Sequence, residues 1–257
     1  MNNPKIVLLA GKGISTNMLY HVLIKDFIIA AIILEEPVSK KQLLVRRIKK
    51  LGIIKVLGQI LFQIGIIPFL KLATSRRKKE ILQQFILDGS DLPAEKIISV
   101  SSVNDNACIQ NLQSLAPGLV IVNGTRIIAK DVLNCVPAQF INIHAGITPK
   151  YRGVHGAYWA LVNNDPKNCG TTVHLVDPGI DTGSVISQKT ITVTRKDNFV
   201  TYPFLQLAAG IPLLQTAITD WLSDSLISAT SATGESRLWS HPTIGQYLYH
   251  RIGNGKK

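Results

Sequence analysis

Five short runs of apolar, β-forming residues, separated by glycine turns and helical periodicity, constrain this chain more than any other feature. Ile6–Ala10 ends in Gly11-Lys12-Gly13, and a helical pattern follows from Ser15 or Thr16 to about Lys25. Ile28–Leu34 is then stopped by Glu35-Glu36-Pro37. Strand, glycine turn, helix, strand is the opening of a parallel α/β sheet. The alternation resumes with strands at Ile97–Val100, Leu119–Val122 and Phe140–His144, with Asp105 placed to cap an intervening helix to about Leu115. A short helix around Asp131–Leu133, a helix near Gly156–Asn163, strands at about Thr171–Val176 and Val185–Val193, and a helix from about Pro203 to Leu222 complete the pattern. The expectation is a Rossmann-like α/β catalytic domain with a mostly parallel sheet over residues 1–225, interrupted by a basic helical insertion at 39–86. Residues 226–257 are short of pattern and read as a C-terminal tail. With 257 residues, one sizeable core can be buried.

The first glycine turn excludes more than it supports. Gly11-Lys12-Gly13-Ile14-Ser15-Thr16 lacks the third glycine of a dinucleotide fingerprint, and no lysine stands where a nucleotide P-loop needs one. Backbone amides at the following helix start can still hold an anion. Gly11 and Gly13 therefore stand both as a structural turn and as candidate substrate contacts. The three cysteines, Cys108, Cys135 and Cys169, are isolated, with no C-x-x-C pair and no metal-ligand cluster. No signal-peptide core precedes the first strand, so a cytoplasmic protein without a metal is expected.

The net charge of +12 is local. Lys40 to Lys79 contains twelve Lys and Arg and no acid, and the remaining sixteen basic residues balance all sixteen acids. Any polyanion-facing role is thereby assigned to one segment.

The chemistry concentrates in Phe140-Ile-Asn-Ile-His-Ala-Gly-Ile-Thr-Pro-Lys-Tyr-Arg-Gly153 and in Asp177-Pro-Gly-Ile-Asp-Thr-Gly183. Asn142 and His144 are two apart on a predicted strand, so both project from one face. They sit at its C-terminal end, where open α/β sheets place ligands. Asp181, in a glycine-flanked turn, can return to the imidazole. Amide, imidazole and carboxylate suit addition to a carbonyl: Asn142 donates to an oxyanion, His144 supplies a proton, and Asp181 holds His144 charged. A lone histidine at a strand end is more often structural, and an Asp in such a turn more often a turn-former.

Taken together, Asn142-x-His144, Pro149, Tyr151-Arg152-Gly153 and Asp181-Thr182-Gly183 resemble the formyltransferase family that includes glycinamide ribonucleotide, methionyl-tRNA and amino-sugar formyltransferases. The resemblance implies that Asn142, His144 and Asp181 are catalytic and that N10-formyltetrahydrofolate is the donor. It implies further that the main chain of Arg126, Ile127 and Ile128 holds the pterin, with the Asp177–Asp181 turn, including Gly179, closing the other side. Tyr151 and Arg152 join Gly11 and Gly13 as candidate substrate contacts. Two departures stand out: Ala145-Gly146 after the histidine, and Gly156 where a proline is common. The acceptor expected is the primary amine of a nucleotide- or lipid-linked amino sugar. Methionyl-tRNA is the enzymatic rival, disfavoured because 76 residues after Asp181 are too few for the barrel domain tRNA-specific members append. A formyltetrahydrofolate hydrolase would need a regulatory domain ahead of the first strand. A non-catalytic peripheral membrane protein on the same fold is the remaining rival.

The insertion allows three readings. Lys55, Gln59 and Gln63 form one polar stripe on an otherwise apolar helical stretch from Leu51 to Leu70, about 30 Å long if fully helical. A single membrane crossing is untenable, because strands before Leu34 and after Ile97 must join one sheet. What remains is a hairpin packed on the domain or on a second copy in a homodimer, a helix lying on an anionic membrane surface through 40–79, or a nucleic-acid surface. The last is disfavoured by the lack of aromatics among the basic residues.

Overall fold

The computed structural model describes residues 4–229 and 234–254. A seven-stranded sheet is built from β1 (Ile6–Gly11), β2 (Ile29–Glu35), β3 (Ile97–Val100), β4 (Leu119–Asn123), β5 (Gln139–His144), β7 (Gly170–Leu175) and β8 (Val185–Thr190). Its order is β3-β2-β1-β4-β5-β7-β8. The first five strands are parallel, while β7 runs antiparallel to β5 and β8 antiparallel to β7. A two-residue strand β6 (Arg152–Gly153) pairs separately with β9 (Leu238–Trp239). The mostly parallel α/β architecture expected from the alternation is thus present.

Alternation along β1 divides the core. Leu8 faces α1 (Ile14–Leu23) and the long α9 (Tyr202–Leu222), in a cluster with Leu19, Ile32, Ile211 and Ile218. Val7 and Leu9 face the other side, against Cys108 and Leu112 of α6 (Asn106–Leu115) and Val132 of α7 (Lys130–Leu133). Each fully buried aliphatic side chain contributes about 1.5–3 kcal/mol relative to exposure.

Between β2 and β3 the insertion forms α2 (Lys40–Leu51), α3 (Ile53–Leu61), a π turn (Phe62–Ile66), α4 (Ile67–Ala73) and α5 (Ser75–Gln84). Gly52, at φ 81°, breaks α2 from α3. The π turn precedes Pro68, which has no N–H to give to the preceding turn. The Ile53–Ala73 run of 21 residues is long and apolar enough to cross a membrane. Adjacency of β2 and β3 in one sheet, with Ile32 beside Ile97, excludes a single crossing.

The polar stripe does not face water as a unit. Gln59 is fully buried, donating to the His241 carbonyl at 2.6 Å while the Arg47 guanidinium donates to its amide oxygen. Phe62 and Leu70 also point inward, toward Tyr158, Phe199 and Tyr247. The stretch read as a tail is structured where described: β9 seals the segment after β5, and α10 (Ile244–Asn254) packs on α3 and the π turn. Its anchors, Trp239 and Tyr247, are too sparse to show a local period.

Because Gln59 satisfies partners on α2 and on the 239–241 segment at once, Gln59→Leu is expected to destabilise the protein by about 1–3 kcal/mol in urea unfolding. Hydrogen exchange should quicken in α10. Unchanged stability and exchange would show that this amide does not pin the insertion.

Candidate active site

Asn142 and His144 end β5 on one face, as their spacing requires. Asn142 lies opposite His174 in the β5–β7 register. The His174 Nδ1–H donates to the Leu175 carbonyl at 2.7 Å, leaving Nε2 to accept from the Asn142 amide nitrogen at 3.0 Å. That assignment uses the neutral ring, and burial does push His174 below the usual histidine range. The amide of Asn142 is therefore oriented by its neighbour across the sheet.

His144 is buried between two acceptors. Its Nδ1 lies 3.3 Å from Asp181 Oδ1 and its Nε2 3.0 Å from the Tyr151 carbonyl. Only the doubly protonated imidazolium can donate to both. Asp181 is held in turn by the Gly153 amide, which donates to Oδ2 at 2.8 Å. Its backbone, at φ 51°, is left-handed, which Asp tolerates better than most residues. Oδ1 also lies 3.9 Å from His174 Nε2, so the carboxylate faces the gap between the two imidazoles.

A cavity of about 550 Å³ covers this group, within the range of small-ligand sites. One wall is the loop after β4, where Arg126, Ile127 and Ile128 all line the cavity. The Arg126 guanidinium turns away, donating to the Glu36 and Ser101 carbonyls beside the Glu35 carboxylate, and the Ile128 side chain joins the core. Between them Ile127 keeps its side chain half-exposed. The opposite wall is the turn carrying Asp177, Gly179 and Asp181. Asp177 accepts from the Gly179 amide at 3.1 Å and from the Thr182 hydroxyl at 2.7 Å, fixing that turn.

Four predicted substrate contacts lie off the cavity wall. Tyr151 is buried, its hydroxyl donating to Asp165 at 3.0 Å, and burial pushes that phenol up to about 12. Arg152 donates to the Ile180 carbonyl at 3.0 Å, bracing the Asp181 turn. Gly11 packs against Gly124, where an added Cβ would stand 2.4 Å from the carbonyl oxygen, and Gly13 precedes α1. Ser15 alone of that turn lines the cavity. The Tyr151 and Arg152 side chains build the site instead of facing it.

The two departures explain each other. A Cβ on Gly146 would come within 2.2 Å of the Tyr151 carbonyl oxygen and 2.7 Å of His144 Nε2; one on Gly156 would meet Gly146 Cα at 2.6 Å. Glycine at both positions lets α8 (Gly156–Val162) approach the loop and leaves the His144–Tyr151 bond room. His155, which also lines the cavity, was not apparent from sequence; it is left-handed at φ 61°, stacks near Phe199 and bonds His241 at 2.9 Å. Burial lowers it to about 3, so it stays neutral. His174 was missed as well, since its partner lies 32 residues away along the chain.

Residues 72–203 match the family model described as Formyl transferase. The chain belongs to the formyl transferase family. It is 32% identical over 186 residues to a methionyl-tRNA formyltransferase of Thermodesulfovibrio yellowstonii, spanning 66% of this chain and 60% of that protein. Among solved structures, a sugar N-formyltransferase from Shewanella shares the fold with TM-score 0.59 and 13% identity, over 92% of this chain and 76% of the other. An N-formyltransferase of Helicobacter canadensis, solved with folinic acid and dTDP-3-aminofucose, gives TM-score 0.56 and 15% identity, over 91% and 70%. Within this formyl transferase chain the Asn142–His144–Asp181 group is assembled by main-chain and neutral-ring contacts.

Gly146→Ala should force His144 and the Tyr151 carbonyl apart, shifting the imidazole ¹⁵N resonances of His144 and lowering the melting temperature. Unmoved resonances would mean that the close approach does not set the ring's position.

Proposed function

We propose that this protein transfers the formyl group of N10-formyltetrahydrofolate to a primary amine, and that the acceptor is an amino sugar on a nucleotide or lipid carrier. The observation that carries the chemistry is the convergence of the Asn142 amide, the His144 imidazole and the Asp181 carboxylate at one cavity. Its size and the apolar residues Val122 and Leu207 fit a flat heterocycle. Asn142 and His144 stabilise negative charge on the formyl oxygen as the amine adds. Asp181, facing the gap between the rings, takes the proton the amine releases and returns it to the leaving nitrogen. The new C–N bond forms as the bond to N10 breaks, so the formyl unit is neither oxidised nor reduced. No metal is required of the protein in this scheme.

The insertion bears on the acceptor. Ile54, Leu57, Leu61, Ile64 and Leu72 are exposed along one side of α3–α4, and α2 buries no residue. Beside a segment of twelve cations and no acid, that apolar stripe fits a peripheral seat on an anionic membrane, with the enzyme otherwise cytoplasmic. A second copy would bring like charge against like. RNA would use the cations but not the stripe. Methionyl-tRNA remains the second reading because of the sequence likeness to a tRNA-directed relative.

Asn142→Ala, His144→Ala and Asp181→Ala should each slow formyl transfer by at least about a hundredfold, the effect of a lost oxyanion stabiliser for the first two and of a lost general base for Asp181. The wild type should melt higher with 5-formyltetrahydrofolate and not with NAD or ATP. Near-normal turnover by His144→Ala, or stabilisation by NAD alone, would sink this reading.

Vesicle flotation should show binding to anionic bilayers, weakened by salt, at roughly 1 kcal/mol per basic residue near the surface. Replacing Lys40, Lys41, Arg46, Arg47, Lys49 and Lys50 with Gln should remove the preference for anionic lipid. Indifference to vesicles with steeply salt-dependent tRNA binding would move the acceptor to RNA. Binding to neither would leave the insertion as a packed hairpin.

A further inference from the structure

A second cavity, of about 470 Å³, opens where the insertion meets the catalytic domain, among α4, α5, the segment after β8 and α10. It too falls within the range of small-ligand sites. Five cationic side chains line it, Arg76, Arg77, Arg195, Lys196 and Arg251, against two carboxylates, Glu80 and Asp197.

Both carboxylates are already paired. Asp197 is buried and accepts from Arg77 Nε at 2.8 Å and Nη2 at 3.3 Å, and from the Thr194 amide and hydroxyl, each at 2.8 Å. Glu80 faces Arg76 Nε at 3.4 Å and Arg77 Nη1 at 3.6 Å. The lining thus carries three more cationic side chains than carboxylates. Arg251 Nη1 is buried with no hydrogen-bond partner among the described residues. A buried, unmatched guanidinium nitrogen costs stability unless something outside the protein meets it. Lys196 stands exposed at the same cavity. On the rim, Phe69 is 69% exposed on α4, at the end of the apolar stripe of the insertion.

A cationic floor beside an apolar rim is the shape of a site for a phosphorylated amphiphile. Guanidinium and ammonium groups favour phosphate oxygens, with arginine able to bind two at once. We propose that this cavity binds a phosphate group, seated on Arg251 and Lys196, with the apolar part of its carrier along Phe69. The inference stands apart from both readings above. None of Asn142, His144 and Asp181 lines this cavity, nor does any of the six basic residues between Lys40 and Lys50.

The source of the phosphate, lipid headgroup or soluble ester, is separated by two measurements. Calorimetric titration with inorganic phosphate at constant ionic strength reads the soluble arm. Flotation with phosphatidic acid vesicles against phosphatidylglycerol vesicles of equal surface charge reads the lipid arm. Wild type, Arg251→Gln, Lys196→Glu and a charge control, Lys5→Glu at the far end of β1, are compared. The expected result is a several-fold preference of wild type and control for phosphatidic acid, lost in Arg251→Gln and Lys196→Glu. Saturable inorganic phosphate binding, lost in the same two variants without a lipid preference, upholds the site with a soluble ligand. Should Arg251→Gln fail to fold, Lys196→Glu on the exposed rim decides. If Lys196→Glu matches the control in both arms, the cavity is not a phosphate site.

Discussion

Antiparallel pairing of β7 with β5 is the constraint from which the geometry of the site follows. The pairing sets His174 opposite Asn142 and turns the chain at Leu175 so that the next loop returns over β5. Asp181 reaches His144 from that loop, and Gly153 and Arg152 hold it from the opposite side. Were β7 parallel, as the five strands before it are, its C-terminal loop would leave from the same edge as β5 and the register that aligns the two rings would be lost. One reversal in an otherwise parallel sheet therefore places amide, imidazole and carboxylate together.

The charge pattern at the site depends on which groups are kept neutral. His174 is depressed by burial and accepts from Asn142, while His155 and His241, depressed to about 3 and about 4 largely by burial, share one hydrogen bond as neutral rings. The ring of His174, 6.4 Å from that of His144, is thus kept neutral, as is the His155–His241 pair. A protonated His174, with Nε2 3.9 Å from Asp181 Oδ1, would compete with His144 for the same carboxylate.

Local pattern and spacing were enough for the strands and for the projection of Asn142 and His144 from one face, because each depends on neighbours a few residues apart. The supporting contacts were not legible for the opposite reason. His174, Gly153 and His241 act across 32, 28 and 86 residues of chain respectively. Tyr151 and Arg152 were visible as a motif, but a motif does not say whether a side chain faces the ligand or the protein; here both face the protein. Gly146 and Gly156 looked like substitutions of loop shape. Their meaning appears only when the two backbones are seen to touch. The residues after 225 lacked periodicity because β9 has two residues and α10 is held by a few aromatic anchors.

The insertion shows how polarity and burial can be exchanged on one helix. Gln59 is buried and Ile54 is 85% exposed, the reverse of what a water-facing helix requires. Burying an amide is tolerable only where its donors and acceptors are met, and Arg47, Ser240 and His241 meet them. The same contacts run onward: His241 bonds His155, which lines the main cavity. A continuous series of polar contacts therefore joins Arg47 of α2 to the wall of the main cavity. Displacing α2 would break Arg47 from Gln59 before anything else in that series. The outward apolar stripe and the inward polar link are consequences of one helix orientation, fixed at both ends by β2 and β3 in the same sheet. That orientation leaves the helix room to lie along a surface and no freedom to pass through it.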